Sequence, residues 1–197
     1  QNFRLDEKGR RLTVIFEIDQ ARAVFLDLFQ LVIPMFQAVG IDAQMRTMDR
    51  SLWETRVRQG RDFDATAHQF GANGGVAAML DPRYYVPTDS NAMYAPAWQL
   101  WYLDRNNANA EEPPEETKKQ LELYDKLKAT SDPAGQQEIM KQILQGAAEN
   151  FYVFGISQPP DGYGVVKNNM KNITKTMPNS FGWPTPAPTM PEQFYKV

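Results

Sequence analysis

Cysteine is absent from the 197 residues, and histidine occurs once, at His68. Without cysteine there is no disulfide scaffold, no thiolate metal site and no sulfur nucleophile. One imidazole makes no histidine cluster for a metal, and it leaves His68 as the sole candidate imidazole base. Long apolar runs are also missing: none approaches the roughly 18 residues of a membrane-spanning helix. Positive charge is not in excess. Lys and Arg number 21 against 24 Asp and Glu, a formal net charge of −3, whereas a nucleic-acid partner calls for a basic face. Neither a G-x-S-x-G nucleophile elbow nor a P-loop occurs. The chain begins at Gln1, with no charged and apolar leader after it. We read this as a processed or excised piece.

The remaining composition is that of a globular chain, 42% hydrophobic and 23% charged, but 12% aromatic with four Trp and eight Tyr. The length suits one domain. Arg11–Ile18 (RLTVIFEI) is rich in β-branched and aromatic residues and reads as a strand. From Gln20 to Val39 apolar residues recur at helical spacing, with Pro34 expected to kink or break the helix and Gly40 to stop it. Ile41–Thr47 alternates as a second strand. Asp49 caps a helix over Arg50–Gln59, and Phe63–Phe70 reads as a third short strand. This alternation is that of an α/β unit.

Beyond Gly71 the rhythm stops, and 71–97 reads as loop, followed by a short helix over Trp98–Leu103. Glu115–Ala129 is amphipathic. Asp132-Pro133 is an N-cap with proline at the first helical position, opening a second helix to about Glu149. Phe151–Ile156 (FYVFGI) reads as a fourth strand. Seven of the 14 prolines (159, 160, 178, 184, 186, 188, 191) fall at the end, which suggests an extended tail packing on another surface.

The chemistry-bearing candidates are few. His68 reads as a polar strand-end residue, a ligand contact or, less naturally, a base. The acidic run Glu111, Glu112, Glu115 and Glu116 suits a solvated loop and the positive end of a helix dipole. Gly71-Ala72-Asn73-Gly74-Gly75 lacks the spacing of a phosphate cradle, yet it follows a strand at the place where open α/β sheets bind ligands. Tyr84, Tyr85, Tyr94, Trp98, Trp101 and Tyr102 form an aromatic block. If a helix starts early enough, Tyr94, Trp98 and Tyr102 share a stripe. The block is either core or a stacking surface for sugar rings or peptide side chains. Burial of both Trp98 and Trp101 would exclude stacking.

Several segments together resemble the family 5 extracellular solute-binding proteins of ABC importers, the group of oligopeptide-, dipeptide- and nickel-binding components. KGRRLTVIFEI (8–18) is similar to the entry strand of the family's second lobe. FQAVGIDAQMRTMDRSLWETRVRQGRDFDA (36–65) is similar to its helix, strand, helix and strand that follow. The stretch 116–156 is similar to its helical pair around D-P, and MPEQFYKV (190–197) to its ending. AMYAPAWQLWYLD (92–104) is most similar to the members grouped as peptide binders, some of whose relatives bind oligosaccharides. The resemblance implies an α/β fold, the second lobe of a periplasmic-binding-protein-like (type II, cluster C) two-lobed clamp with a Pro-rich extended C-terminal tail. Residues 1–157 would form the ligand-binding lobe, and 158–197 a return segment packing on a first lobe outside this chain. It further implies capture of an oligosaccharide or peptide outside the cytoplasmic membrane, in the periplasm or its equivalent, and delivery to the permease subunits, with no catalysis, cofactor, metal or nucleic acid. On that reading Trp98 and Trp101 stack on the solute, His68, Gln69 and Asn73 hydrogen-bond it, and Phe70 lines the cleft. The Phe70–Met79 loop holds no carboxylate for a peptide amino terminus, Asp81 being the nearest, and one histidine poorly suits nickel. The alternatives are a carbohydrate-active enzyme with a carboxylate pair and a structural interaction module.

Overall fold

Alternating apolar residues in Thr13–Asp19 produce the central strand, β1, of a three-stranded parallel sheet. The computed structural model describes residues 3–69, 75–157, 162–177 and 189–197. They divide into two compact units, 1–69 and 70–197.

In the first unit β1 is followed by α1 (Ala23–Ala38), β2 (Asp42–Met48), α2 (Arg50–Trp53), a π-helical turn over Glu54–Gln59, and β3 (Ala65–Thr66). The sheet order is β2-β1-β3, with Phe16 opposite Met45 and Ala65, and Glu17 opposite Arg46 and Thr66. Because side chains alternate along a strand, Val14, Phe16 and Ile18 face one side. There they pack with Phe29 and Val32 of α1 and Ala43 of β2. The Phe16 ring meets Phe29 at 5.0 Å and Phe36 at 5.3 Å between centroids. The other face carries Glu17, which pairs with Arg46 and Arg56, and its main-chain carbonyl accepts the indole N–H of Trp53. Gly40, at φ 85°, turns the chain from α1 into β2. Asp49 caps α2 as expected, its carboxylate accepting the N–H groups of Ser51 and Leu52.

Three expectations for this unit change. Pro34 neither ends nor breaks α1, which runs on to Ala38. Pro34 and Gln30, whose carbonyl loses its helical partner, both lie on the exposed side, so the missing hydrogen bond costs little burial. The helix expected over Arg50–Gln59 is α-helical for one turn and then widens. The third strand shrinks to Ala65–Thr66, the stretch in register with β1 among the described residues.

The second unit contains α3 (Gly75–Leu80), α4 (Pro96–Leu103), α5 (Glu115–Ala129) and α6 (Pro133–Asn150). α3 lies within the stretch read as loop, whose glycines obscured it. Helices α5 and α6 form a hairpin around the expected cap, with the Asp132 carboxylate accepting Gly135 N–H at 2.7 Å. Their seam buries Leu121, Leu127, Ile139, Met140 and Ile143, joined by Ala78 and Val86. Gly146 lets Gln120 approach closely: a Cβ there would lie 3.0 Å from Gln120 Nε2, which donates to the Ile143 carbonyl. Met170–Lys171 (β4) and Tyr195–Lys196 (β5) pair antiparallel.

Phe151–Ile156 is not a strand. Phe151 ends α6 in the left-handed region at φ 54°, and the segment continues irregular and exposed. No strand among the described residues offers it a ladder. Strand-prone residues need such a partner, since their preference is for a pleated, half-buried surface.

Candidate functional site

The carboxyl end of the parallel sheet gathers the polar groups of the first unit. Asp19 terminates β1 and is buried. Its Oδ1 accepts Ala21 N–H at 3.0 Å and its Oδ2 accepts Arg50 Nη1 at 2.9 Å, with Arg22 Nε at 3.7 Å. Burial alone would raise its pKa. The Arg50 hydrogen bond, the Ala21 N–H and the two guanidinium charges outweigh that and hold the carboxyl below its ordinary range. Two residues back, buried Glu17 receives Arg46 Nη1 at 2.9 Å and has Arg56 at 3.5 Å. Its second oxygen has no hydrogen-bond partner among the described residues.

Trp53, fully buried, joins these strands. Its indole N–H lies 3.2 Å from both the Glu17 carbonyl and the Thr66 hydroxyl, and that hydroxyl donates to the same carbonyl at 2.6 Å. The His68 ring stacks on it, 6.0 Å between centroids and 21° between planes. His68 Nδ1 is 3.0 Å from the Gln69 carbonyl. A carbonyl only accepts, so Nδ1 carries the proton and Nε2 is the acceptor nitrogen of the ring. Burial is the chief cause that lowers the His68 pKa; the Gln69 carbonyl opposes it, and Arg22, Arg58 and Arg50 reinforce it, which keeps the imidazole neutral. Arg22 Nη1 donates to Gln69 Oε1 at 3.1 Å. His68 and Gln69 thus stand together in a frame of guanidinium groups.

Of the other expected site residues, Phe70 and Asn73 lie outside the described residues. Trp98 and Trp101 belong to the second unit, on α4, and both are half-buried. Helix α4 begins at Pro96, so Tyr94 is not on its stripe. Tyr94 nevertheless stacks on Tyr152 at 6.0 Å, and Trp98 meets the Tyr152 edge at 5.3 Å. Burial, then the neighbouring Tyr152, pushes the Tyr94 hydroxyl well above its ordinary pKa. Trp101 is occupied differently: Arg105 lies 4.6 Å and Lys118 5.8 Å from its ring centroid, and it packs on the helical core. A shallow recess of about 10 Å³, room for one water at most, lined by Tyr84, Tyr85, Tyr94, Gln120 and Tyr152 among others, adjoins this cluster. It is smaller than the roughly 300–1,000 Å³ of ordinary ligand pockets.

Sequence reasoning passed over Trp53, Arg22, Arg50 and Tyr152. A signal was present for one of them, Arg50. Arg50, Glu54 and Arg58 follow one another at i, i+4 and form an ion-pair ladder beside Trp53.

No family model and no curated protein matches the chain. Solved structures do. An oligopeptide-binding protein, OppA, superposes with TM-score 0.69 at 24% identity, over 99% of this chain and 32% of its own. The periplasmic binding protein MelB of Agrobacterium fabrum C58, solved with stachyose, gives 0.60 at 14%, over 74% and 20%. NikA of Brucella suis, solved with Fe(III)-EDTA, gives 0.52 at 20%, over 74% and 26%. The chain spans about a third or less of the length of these structures. At such identities the likeness is one of fold: the chain has the α/β fold of part of a periplasmic binding protein, in keeping with its resemblance to solute-binding proteins.

Proposed function

We propose that the chain is the C-terminal portion of an ABC-importer solute-binding protein. It captures an oligosaccharide or peptide outside the cytoplasmic membrane and hands it to the permease. The observation that carries this reading is the likeness of fold to an oligopeptide-binding protein along almost the whole chain. The binding chemistry fits. The carboxyl end of the parallel sheet, where open α/β folds take ligands, offers a neutral imidazole and an amide in His68 and Gln69. The work there is hydrogen bonding, with Phe70 and Asn73 included in the site. Trp98 and Trp101 supply the stacking surface. Residues 1–157 act as the binding lobe, and 158–197 return to pack on a first lobe. Since such clamps close by hinge motion, one lobe makes only part of the contacts and binds weakly.

A thermal-shift series with the full-length protein tests this, using stachyose, other oligosaccharides and short peptides. A shift with one class names the solute. No shift with either class, at concentrations up to millimolar, refutes the reading. The 197-residue chain alone is expected to shift little.

A further inference from the structure

The His68 imidazole owes its orientation to a residue that no solute can touch. We propose that Trp53 is a positioning residue for the solute site: by stacking on His68 while its N–H is held by the Glu17 carbonyl and the Thr66 hydroxyl, it fixes the plane of the imidazole at the carboxyl end of the sheet, where the Gln69 carbonyl selects its tautomer. The meaning of this for binding rests on the reading of His68 as a solute contact; the positioning itself does not.

The contacts form a closed set. The Trp53 N–H reaches both β1, at Glu17, and β3, at Thr66, each at 3.2 Å, and the Thr66 hydroxyl ties β3 to β1 at 2.6 Å. The Arg50 guanidinium lies 4.7 Å from the centroid of the indole, and Arg50 is itself bonded to Asp19 at the end of β1. The ring is therefore held at its edge and on its surface before His68 stacks on it. Burial, with the charges of Arg22 preceding α1, Arg58 in the π-helical turn and Arg50 on α2, outweighs the Gln69 carbonyl and lowers the imidazole pKa, favouring the uncharged ring. With Nδ1 bound to the Gln69 carbonyl, rotation of the ring would break both the stack and that bond. Ordering of His68 thus occurs on folding and is not charged to binding.

One histidine in the chain makes the test direct, because the imidazole ¹⁵N spectrum contains a single ring. Titration of the 197-residue chain is expected to show one neutral tautomer with the proton on Nδ1, a ring proton shifted by the indole, and a midpoint below about 6.5. Trp53→Leu should remove the ring-proton shift and raise the midpoint by about one pH unit. Trp53→Phe removes the N–H donor while keeping an aromatic ring, and Thr66→Val removes one of its two acceptors; both should loosen the stack and move the ring-proton shift and the midpoint the same way by less. If Trp53→Leu does not fold, these two decide. Unchanged His68 shifts and midpoint in the folded variants overturn the proposal. Calorimetric titrations of the full-length protein with stachyose and trialanine form a separate arm. Binding that falls about tenfold in His68→Gln and several-fold in Trp53→Phe supports the link to the solute. Binding indifferent to His68→Gln overturns the solute reading and leaves the positioning result standing.

Discussion

Arg50 and Asp19 form the pair on which the carboxyl end of the sheet is built: the guanidinium donates at 2.9 Å to a carboxylate that is almost wholly buried. The carboxylate belongs to β1 and the arginine to the first turn of α2, so the pair sets where α2 starts relative to the strand. Arg50 also pairs with Glu54 and lies over Trp53.

Asp19→Asn should cost about 1–3 kcal/mol, less than loss of a fully buried pair because Arg50 is partly solvated. Its pH dependence carries a sign. The folded pKa of Asp19 lies below the unfolded value, so its contribution is complete above the ordinary carboxylate pKa of about 4 and is lost as pH falls through the folded value. Urea melts from pH 6 to pH 2 should show a shallower acid limb in the variant.

His68 is also depressed, and its window is higher. The unfolded chain binds the proton first, so stability should be full above about pH 6.5 and decline as pH falls towards the folded pKa. His68→Gln should flatten that decline, as read by melts between pH 7.5 and pH 5.

Trp98 and Trp101 should separate by phenotype. Trp98 neighbours Tyr152 and Tyr94, whereas the Trp101 ring carries Arg105 and Lys118 and packs on the helical core. In the full-length protein Trp98→Ala is expected to weaken solute binding about tenfold or more with a small change in Tm. Trp101→Ala should lower stability by about 2–4 kcal/mol with the smaller change in affinity. Calorimetry and thermal melts on both variants check this, and the reverse order would reassign the stacking residue.

In the helical hairpin, Ile143→Ala removes a fully buried side chain from the α5–α6 seam and should cost about 2–5 kcal/mol. Phe151→Gly places glycine at a left-handed position and should stabilise by about 1 kcal/mol. Denaturant midpoints of the two variants should move in opposite directions.

The elements that the sequence made legible are those whose signals are local. The β-branched and aromatic residues of Arg11–Ile18, the helical spacing of Phe25, Val32 and Phe36, and the caps at Asp49 and Asp132 all follow from residues near one another in the chain, whereas buried Phe29 was not read as part of that stripe. Elements that depend on a distant partner were less readable. Of the expected third strand, the described residues pair at Ala65 and Thr66, and among the described residues no strand lies beside Phe151–Ile156 despite its strand chemistry. The candidate site divides in the same way. His68 and Gln69 were visible because a strand end before a glycine-rich loop is a place for ligands. Trp53 was not, since an aromatic residue on a short helix reads as core, and core it is; its role depends on where β1 and β3 meet its N–H. Tyr152 was hidden for a similar reason, because its ring meets Tyr94 and Trp98 across more than 50 residues of sequence.

The exposed run after α6 has a practical consequence. Phe151, Tyr152, Val153, Phe154 and Ile156 lie open to solvent with no charge and no proline among 151–156. Six uncharged residues in a row, five of them β-prone, match the composition of steric-zipper segments. Expressed alone, the chain carries an adhesive stretch with no charged gatekeeper inside it. Soluble production should therefore improve when Phe154 is replaced by lysine, and deteriorate with rising concentration when it is not.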